Sequence, residues 1–214
     1  MSVVPDTPAV ASPVAPAPRT KSGLFGRMKG MLFAPSAEWA LIATEATPTA
    51  RLYTSYIVPL ALLDALVGFI HVTSGAVHVR LSGGVITAVL VFCFGLSGIF
   101  LVTVIIDAVA SFFGAVSNRR LAAAIATYAS TPIWLATVFV PFPTVWAPLQ
   151  VLAVSYHTWL LYLGLRLLIK APRDRVLGYA TTVVLCTILL EIVFAIASTA
   201  LGGATHLNPY RAFG

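Results

Sequence analysis

Residues 85–113 read VITAVLVFCFGLSGIFLVTVIIDAVASFF, and in all 29 positions Asp107 is the single charged side chain. A water-soluble helix of that length needs a polar face, and this one has none. About 20 apolar residues suffice to cross roughly 30 Å of hydrocarbon, where a helix satisfies its own backbone hydrogen bonds. Similar apolar stretches cover 52–76, 122–140, 145–169 and 176–201. The predicted fold is therefore all-α: a polytopic integral membrane protein built as a five-transmembrane-helix bundle. Composition agrees, since 59% of the 214 residues are hydrophobic and 9% are charged, against roughly a quarter charged in an ordinary soluble domain.

The flanking segments divide the rest of the chain. Residues 1–22 are rich in proline and alanine, and Pro5, Pro8, Pro13, Pro16 and Pro18 prevent a stable helix, predicting a disordered cytosolic tail. Residues 23–47 predict two short helices. In the first, Leu24, Phe25, Met28, Met31 and Leu32 recur at helical spacing, with Arg27 and Lys29 offered to lipid headgroups as in an interfacial amphipathic helix. In the second, Ser36 is placed to cap a juxtamembrane helix, and Trp39 suits the bilayer interface. The membrane domain then occupies 48–203, and 204–214 form a short non-cytosolic tail. Pro132 should kink the third span.

Charge sets the orientation. With the amino terminus in the cytosol, the inner side holds Arg19, Lys21, Arg27, Lys29, Arg51, Arg119, Arg120, Arg166, Lys170, Arg173 and Arg175, which is 11 of the 13 lysines and arginines. Only Arg80 and Arg211 fall outside, so the positive-inside rule places the carboxyl terminus in the periplasm or outside the cell. The net charge of +6 is thus topological. It forms no basic stripe with interleaved aromatics, and no nucleic-acid partner is expected. Cys93 and Cys186 lie within apolar spans, where they are expected to be packing residues. No cofactor, metal spacing or catalytic motif is evident, and no enzymatic activity is expected.

Three groups of residues carry a resemblance. Phe33, Pro35, Glu38, Trp39 and Ile42 precede the first span; Tyr128, Ser130, Thr131, Pro132 and Trp134 lie in the third; Tyr162, Leu163, Gly164 and Leu165, then Lys170, Ala171 and Pro172, then Gly178 and Tyr179 follow. Over roughly 28–190 the chain resembles the bacterial branch of the Yip family of multi-spanning membrane proteins. That resemblance implies five helices and a cytosolic amino terminus. Eukaryotic relatives act with prenylated Rab or Ypt GTPases in vesicle traffic, but their acidic-aromatic Asp-Leu-Tyr-Gly-Pro motif is missing from this chain. The resemblance implies fold and topology and carries no activity to this chain; the leading functional expectation is a non-enzymatic scaffold of a bacterial inner membrane that recruits an unidentified protein partner.

Ionisable groups inside the membrane each require a reason, at about 2.5–3.5 kcal/mol on insertion scales. Asp64, His157 and Glu191 lie roughly 18, 18 and 22 Å from the inner ends of their spans at 1.5 Å per residue. Meeting near midplane, they would suit a proton relay or cation site, and hence a small proton- or cation-coupled transporter or channel; interhelical hydrogen bonding is the structural alternative. Asp107 is placed to pair with Arg166. Arg27, Lys29, Lys170, Arg173 and Arg175 are the expected contacts to anionic phospholipid of the inner leaflet. Gly95 and Gly98, with Ala122, Ala126 and Ser130, predict close helix seams, and the Gly95–Gly98 face is the candidate surface for a homo-oligomer.

Overall fold

A computed structural model describes residues 23–45, 47–74 and 81–202. The two predicted tails, including Arg211, and Arg80 in the connection after the first span lie outside the described residues. All regular elements among the described residues are helical: α1 (Leu24–Phe33), α2 (Pro35–Thr44), α3 (Thr49–Leu52), a π-helical stretch (Tyr53–Ile57), α4 (Val58–Ser74), α5 (Leu81–Ala110), a 3-10 turn (Ser111–Phe113), α6 (Arg119–Ala129), α7 (Thr131–Thr137), α8 (Pro143–Leu167) and α9 (Val176–Gly202).

Among the described residues, three helices are long and apolar enough to cross a membrane: Thr49–Ser74, Gly83–Phe113 and Val176–Ala197. Only 28%, 22% and 11% of their apolar windows are buried inside the protein, so Leu62, Leu66, Val89, Ile188, Ile192 and Ile196 stand exposed. A contiguous apolar belt on that scale is stable against lipid and not against water. Cys93 belongs to this outer surface, contrary to the expectation that it packs inside, and both cysteines are free thiols.

The third apolar stretch is broken. Pro132 has no N–H, which leaves the Tyr128 carbonyl four residues earlier without its donor. The Thr131 hydroxyl supplies one at 2.7 Å, and Ser130 bonds the Ala126 carbonyl at 2.8 Å. The helix stops at Ala129 and restarts at Thr131, so neither piece alone spans a bilayer. Helix α8 has 25 residues, but Gln150, Ser155, Tyr156 and His157 dilute its apolar character.

Packing seats these pieces around α5, which contacts α4, α6 and α9, and α8, which contacts α2, α6, α7 and α9. The predicted small-residue seams are closed within the chain. A Cβ on Gly95 would lie 2.8 Å from the Trp134 ring, and one on Gly98 would lie 3.5 Å from Phe194. The Gly95–Gly98 face is therefore covered by the protein's own aromatics. Tyr179 donates to the Ile106 carbonyl and stacks on Phe113 at 5.4 Å, joining α9 to α5. At the end of α5, Gly114 takes φ 70°, a left-handed turn that glycine adopts without steric penalty.

Candidate functional site: a buried arginine between two carboxylates

Helix α1 sorts its faces differently from the amphipathic expectation. Arg27 is 5% exposed and sits inward with Met28 and Met31, while Phe25 and Phe33 are 81% and 79% exposed. The inward guanidinium is held by two carboxylates: Nη1 donates to Glu38 Oε1 at 2.7 Å, and Nη2 donates to both Glu45 carboxylate oxygens at 2.7 Å each. It also lies 5.5 Å from the centre of the Tyr128 ring, within cation–π range. Burial opposes the Arg27 charge, but the Glu45 hydrogen bond and the fields of Tyr128 and both carboxylates outweigh it and raise its pKa.

The second helix supplies the counter-charges. Pro35 takes the first helical position, and Ala34, not Ser36, is the N-cap residue. Glu38 lies in the first turn of α2 and Glu45 is its C-cap residue, where the backbone turns extended; their seven-residue spacing, close to two helical turns, lets both reach the same guanidinium. A cavity of about 10 Å³ beside Glu45, Thr47, Arg120 and Tyr128 is large enough for about one water molecule.

Around the arginine runs a chain of aromatic and hydroxyl groups. Trp39 and Tyr56 meet Tyr128 edge-on at 6.5 and 5.0 Å. The Tyr56 hydroxyl lies 2.7 Å from Thr131 Oγ1. Because the one Thr131 hydroxyl proton goes to the Tyr128 carbonyl, Tyr56 is the donor in that pair. Trp39, expected at the bilayer interface, is fully buried, and a Cβ on Gly164 would come within 3.1 Å of its ring. On α8, the Tyr156 hydroxyl reaches the carbonyls of Leu32 at 2.8 Å and Met31 at 3.2 Å. Tyr156 precedes Leu167 by eleven residues, roughly 16 Å along the helix axis. The turn between α1 and α2 therefore sits deep against the bundle instead of lying on its rim.

Glu38, Trp39, Tyr128, Thr131 and Gly164 come from three separated segments and converge here. The sequence model of the Yip1 domain matches residues 29–200. The chain belongs to the Yip1 domain family. No curated protein and no solved structure gives a match. The matched region contains both carboxylates of the triad, and Arg27 stands two residues ahead of it.

Within the Yip1 domain the predicted midplane residues have separate surroundings. Asp64 is half-buried beside Thr137. His157 is buried and its Nδ1 lies 2.9 Å from the Ala129 carbonyl, which accepts only, so Nδ1 carries the proton. This caps a carbonyl freed by the break before Pro132. Glu191 is on the exposed side of α9 and makes no side-chain hydrogen bond or ion pair among the described residues. Helix α4 packs on α5 and α7, and shares no substantial seam with α8 or α9. Asp64, His157 and Glu191 thus form no common cluster, and no group of three metal-binding side chains occurs among the described residues.

The other predicted pair also separates. Asp107 accepts a 2.6 Å hydrogen bond from Ser117, while Arg166 is exposed on α8 and takes no part in the ion pairs among the described residues. Lys29, Lys170, Arg173 and Arg175 are exposed, as lipid contact requires, but Arg27 is withdrawn from headgroups by its carboxylates. A signal for the triad was present in the spacing: Arg27 precedes Met31 by four residues, and so shares its inward face.

Proposed function

We propose that this Yip1-domain protein is a non-enzymatic scaffold of a bacterial inner membrane, crossing it five times with the amino terminus cytosolic and the carboxyl terminus outside. In this reading α6 and α7 together make the third crossing and α8 the fourth. The observation that carries the reading is the sidedness of the exposed cations. Arg51, Arg119, Arg120, Arg166, Lys170, Arg173 and Arg175 are all exposed, and they occupy the helix ends and connections that an alternating bundle gathers on one side. An unidentified protein partner would dock on this basic face and on the segment ahead of α1. Partnership with a small GTPase, as in the eukaryotic relatives, is not part of the proposal.

A transporter reading drew its force from convergence of Asp64, His157 and Glu191, and their separate surroundings weaken it. The test compares Asp64→Asn and Glu191→Gln with wild type, both in cells lacking the native gene and in proteoliposomes under a pH gradient. The scaffold predicts normal complementation and no ion flux above empty vesicles. Flux that either substitution abolishes, at normal protein abundance, overturns it.

A further inference from the structure

Between α8 and α9 runs an open groove of about 310 Å³. Ser155, Trp159 and Tyr162 line one wall, and Leu177, Thr181 and Leu185 the other. It lies on the outer surface, with Trp159 45%, Leu177 68% and Leu185 56% exposed. Two of its hydroxyl groups are turned back on their own helix, Ser155 and Thr158 donating to the carbonyls of Val151 and Val154 four residues earlier, while Tyr162 and Thr181 add two more hydroxyls to an otherwise apolar lining. The wall therefore offers mostly hydrocarbon and an indole face to whatever fills it.

One end of the groove is cationic. Arg166 follows Tyr162 by four residues and continues the same stripe of α8 by one turn. On the other wall, Val176 N–H bonds the Pro172 carbonyl at 2.9 Å, so helical register reaches back ahead of α9 and sets Arg173 one turn before Leu177. Both arginines are exposed, and neither joins an ion pair among the described residues. From Ser155 to Arg166 the stripe covers roughly 16 Å at 1.5 Å per residue, close to half of a hydrocarbon core of about 30 Å.

We infer that this groove is a binding site for an anionic glycerophospholipid of the inner leaflet, with one acyl chain along Trp159 and the phosphate between Arg166 and Arg173. A length of apolar wall ending in two unpaired guanidiniums matches a chain ending in a charged headgroup. A second copy of this protein fits less well. Two-fold pairing about the membrane normal would bring the same arginines of both copies together. The inference rests on α8 and α9 being spanning helices, and the experiment separates the two claims.

Trp159 is the reporter. In a Trp146→Phe background Trp39 and Trp134 are buried, leaving Trp159 as the lipid-facing indole. The protein is reconstituted in phosphatidylcholine bilayers containing a small fraction of brominated phosphatidylglycerol or, separately, brominated phosphatidylcholine. The expected result is quenching by the anionic lipid equivalent to enrichment of roughly fivefold, lost in Arg166→Gln/Arg173→Gln while the zwitterionic lipid quenches in proportion to its abundance. These arginines are exposed, and unchanged melting confirms that the variant folds. Equal quenching by both lipids overturns the anionic site but preserves the spanning helices. Quenching by neither, with a monomeric mass, overturns the spanning reading as well; with a dimeric mass, it assigns the groove to a second copy.

Discussion

Replacing Arg27 by methionine keeps the bulk of the side chain and removes its charge, leaving Glu38 and Glu45 facing each other without their shared donor. The three side chains are 6%, 14% and 22% exposed, so neither carboxylate is well hydrated. Breaking a buried ion pair from one side destabilises by about 3–5 kcal/mol. Access of water to Glu45 places the expected loss near the lower end, about 3 kcal/mol. Reversible denaturation in mixed detergent micelles, followed by the tryptophan emission to which Trp39 beside the site contributes, measures it. The triple variant Arg27→Met/Glu38→Gln/Glu45→Gln removes all three charges together, and should recover to within about 1 kcal/mol of wild type, because desolvation of the triad is relieved along with its attraction. A single variant indistinguishable from wild type would refute the burial argument. A triple variant as unstable as the single one would show that Arg27 acts through its packing on Tyr128 and not through charge.

Three further outcomes follow from the packing. Gly164→Ala puts a methyl group 3.1 Å from Trp39 and 3.2 Å from Ile125, and should destabilise by about 1–3 kcal/mol through overpacking; an unchanged denaturation midpoint would mean that these fully buried neighbours can move aside. His157→Leu leaves the Ala129 carbonyl without its side-chain donor, a loss of about 1–3 kcal/mol, and stability equal to wild type would argue that another donor replaces it. Glu191→Gln changes a side chain on the outer face of α9 with no partner among the described residues, so its effect on stability should stay within about 0.5 kcal/mol or be favourable. Marked destabilisation would place Glu191 in an interface between proteins.

Much of the architecture was legible in the chain because its causes are local. Long apolar runs announce α4, α5 and α9, since helix length and backbone satisfaction in lipid depend on residues within the same segment. The break in the third run was marked by Pro132, whose missing donor acts four residues back whatever surrounds it. Its repair by Thr131 was less visible, though Ser130 and Thr131 stood next to the proline in the sequence.

The side-chain partnerships were another matter. Equal depth suggested that Asp64, His157 and Glu191 meet, but depth along a helix says nothing about azimuth, and packing turned them toward Thr137, the Ala129 carbonyl and the outer surface respectively. An isolated cation such as Arg27 prefers water or headgroups; only the fold of α2 against α1 brings Glu38 and Glu45 close enough to make its burial favourable. Sequence by itself determined which segments are helical, which long runs are greasy enough for lipid and which connections carry the cations, all consequences of chemistry a few residues wide. Tertiary structure alone decided which charges are neutralised and which faces stay open, because those depend on groups brought together from opposite parts of the chain.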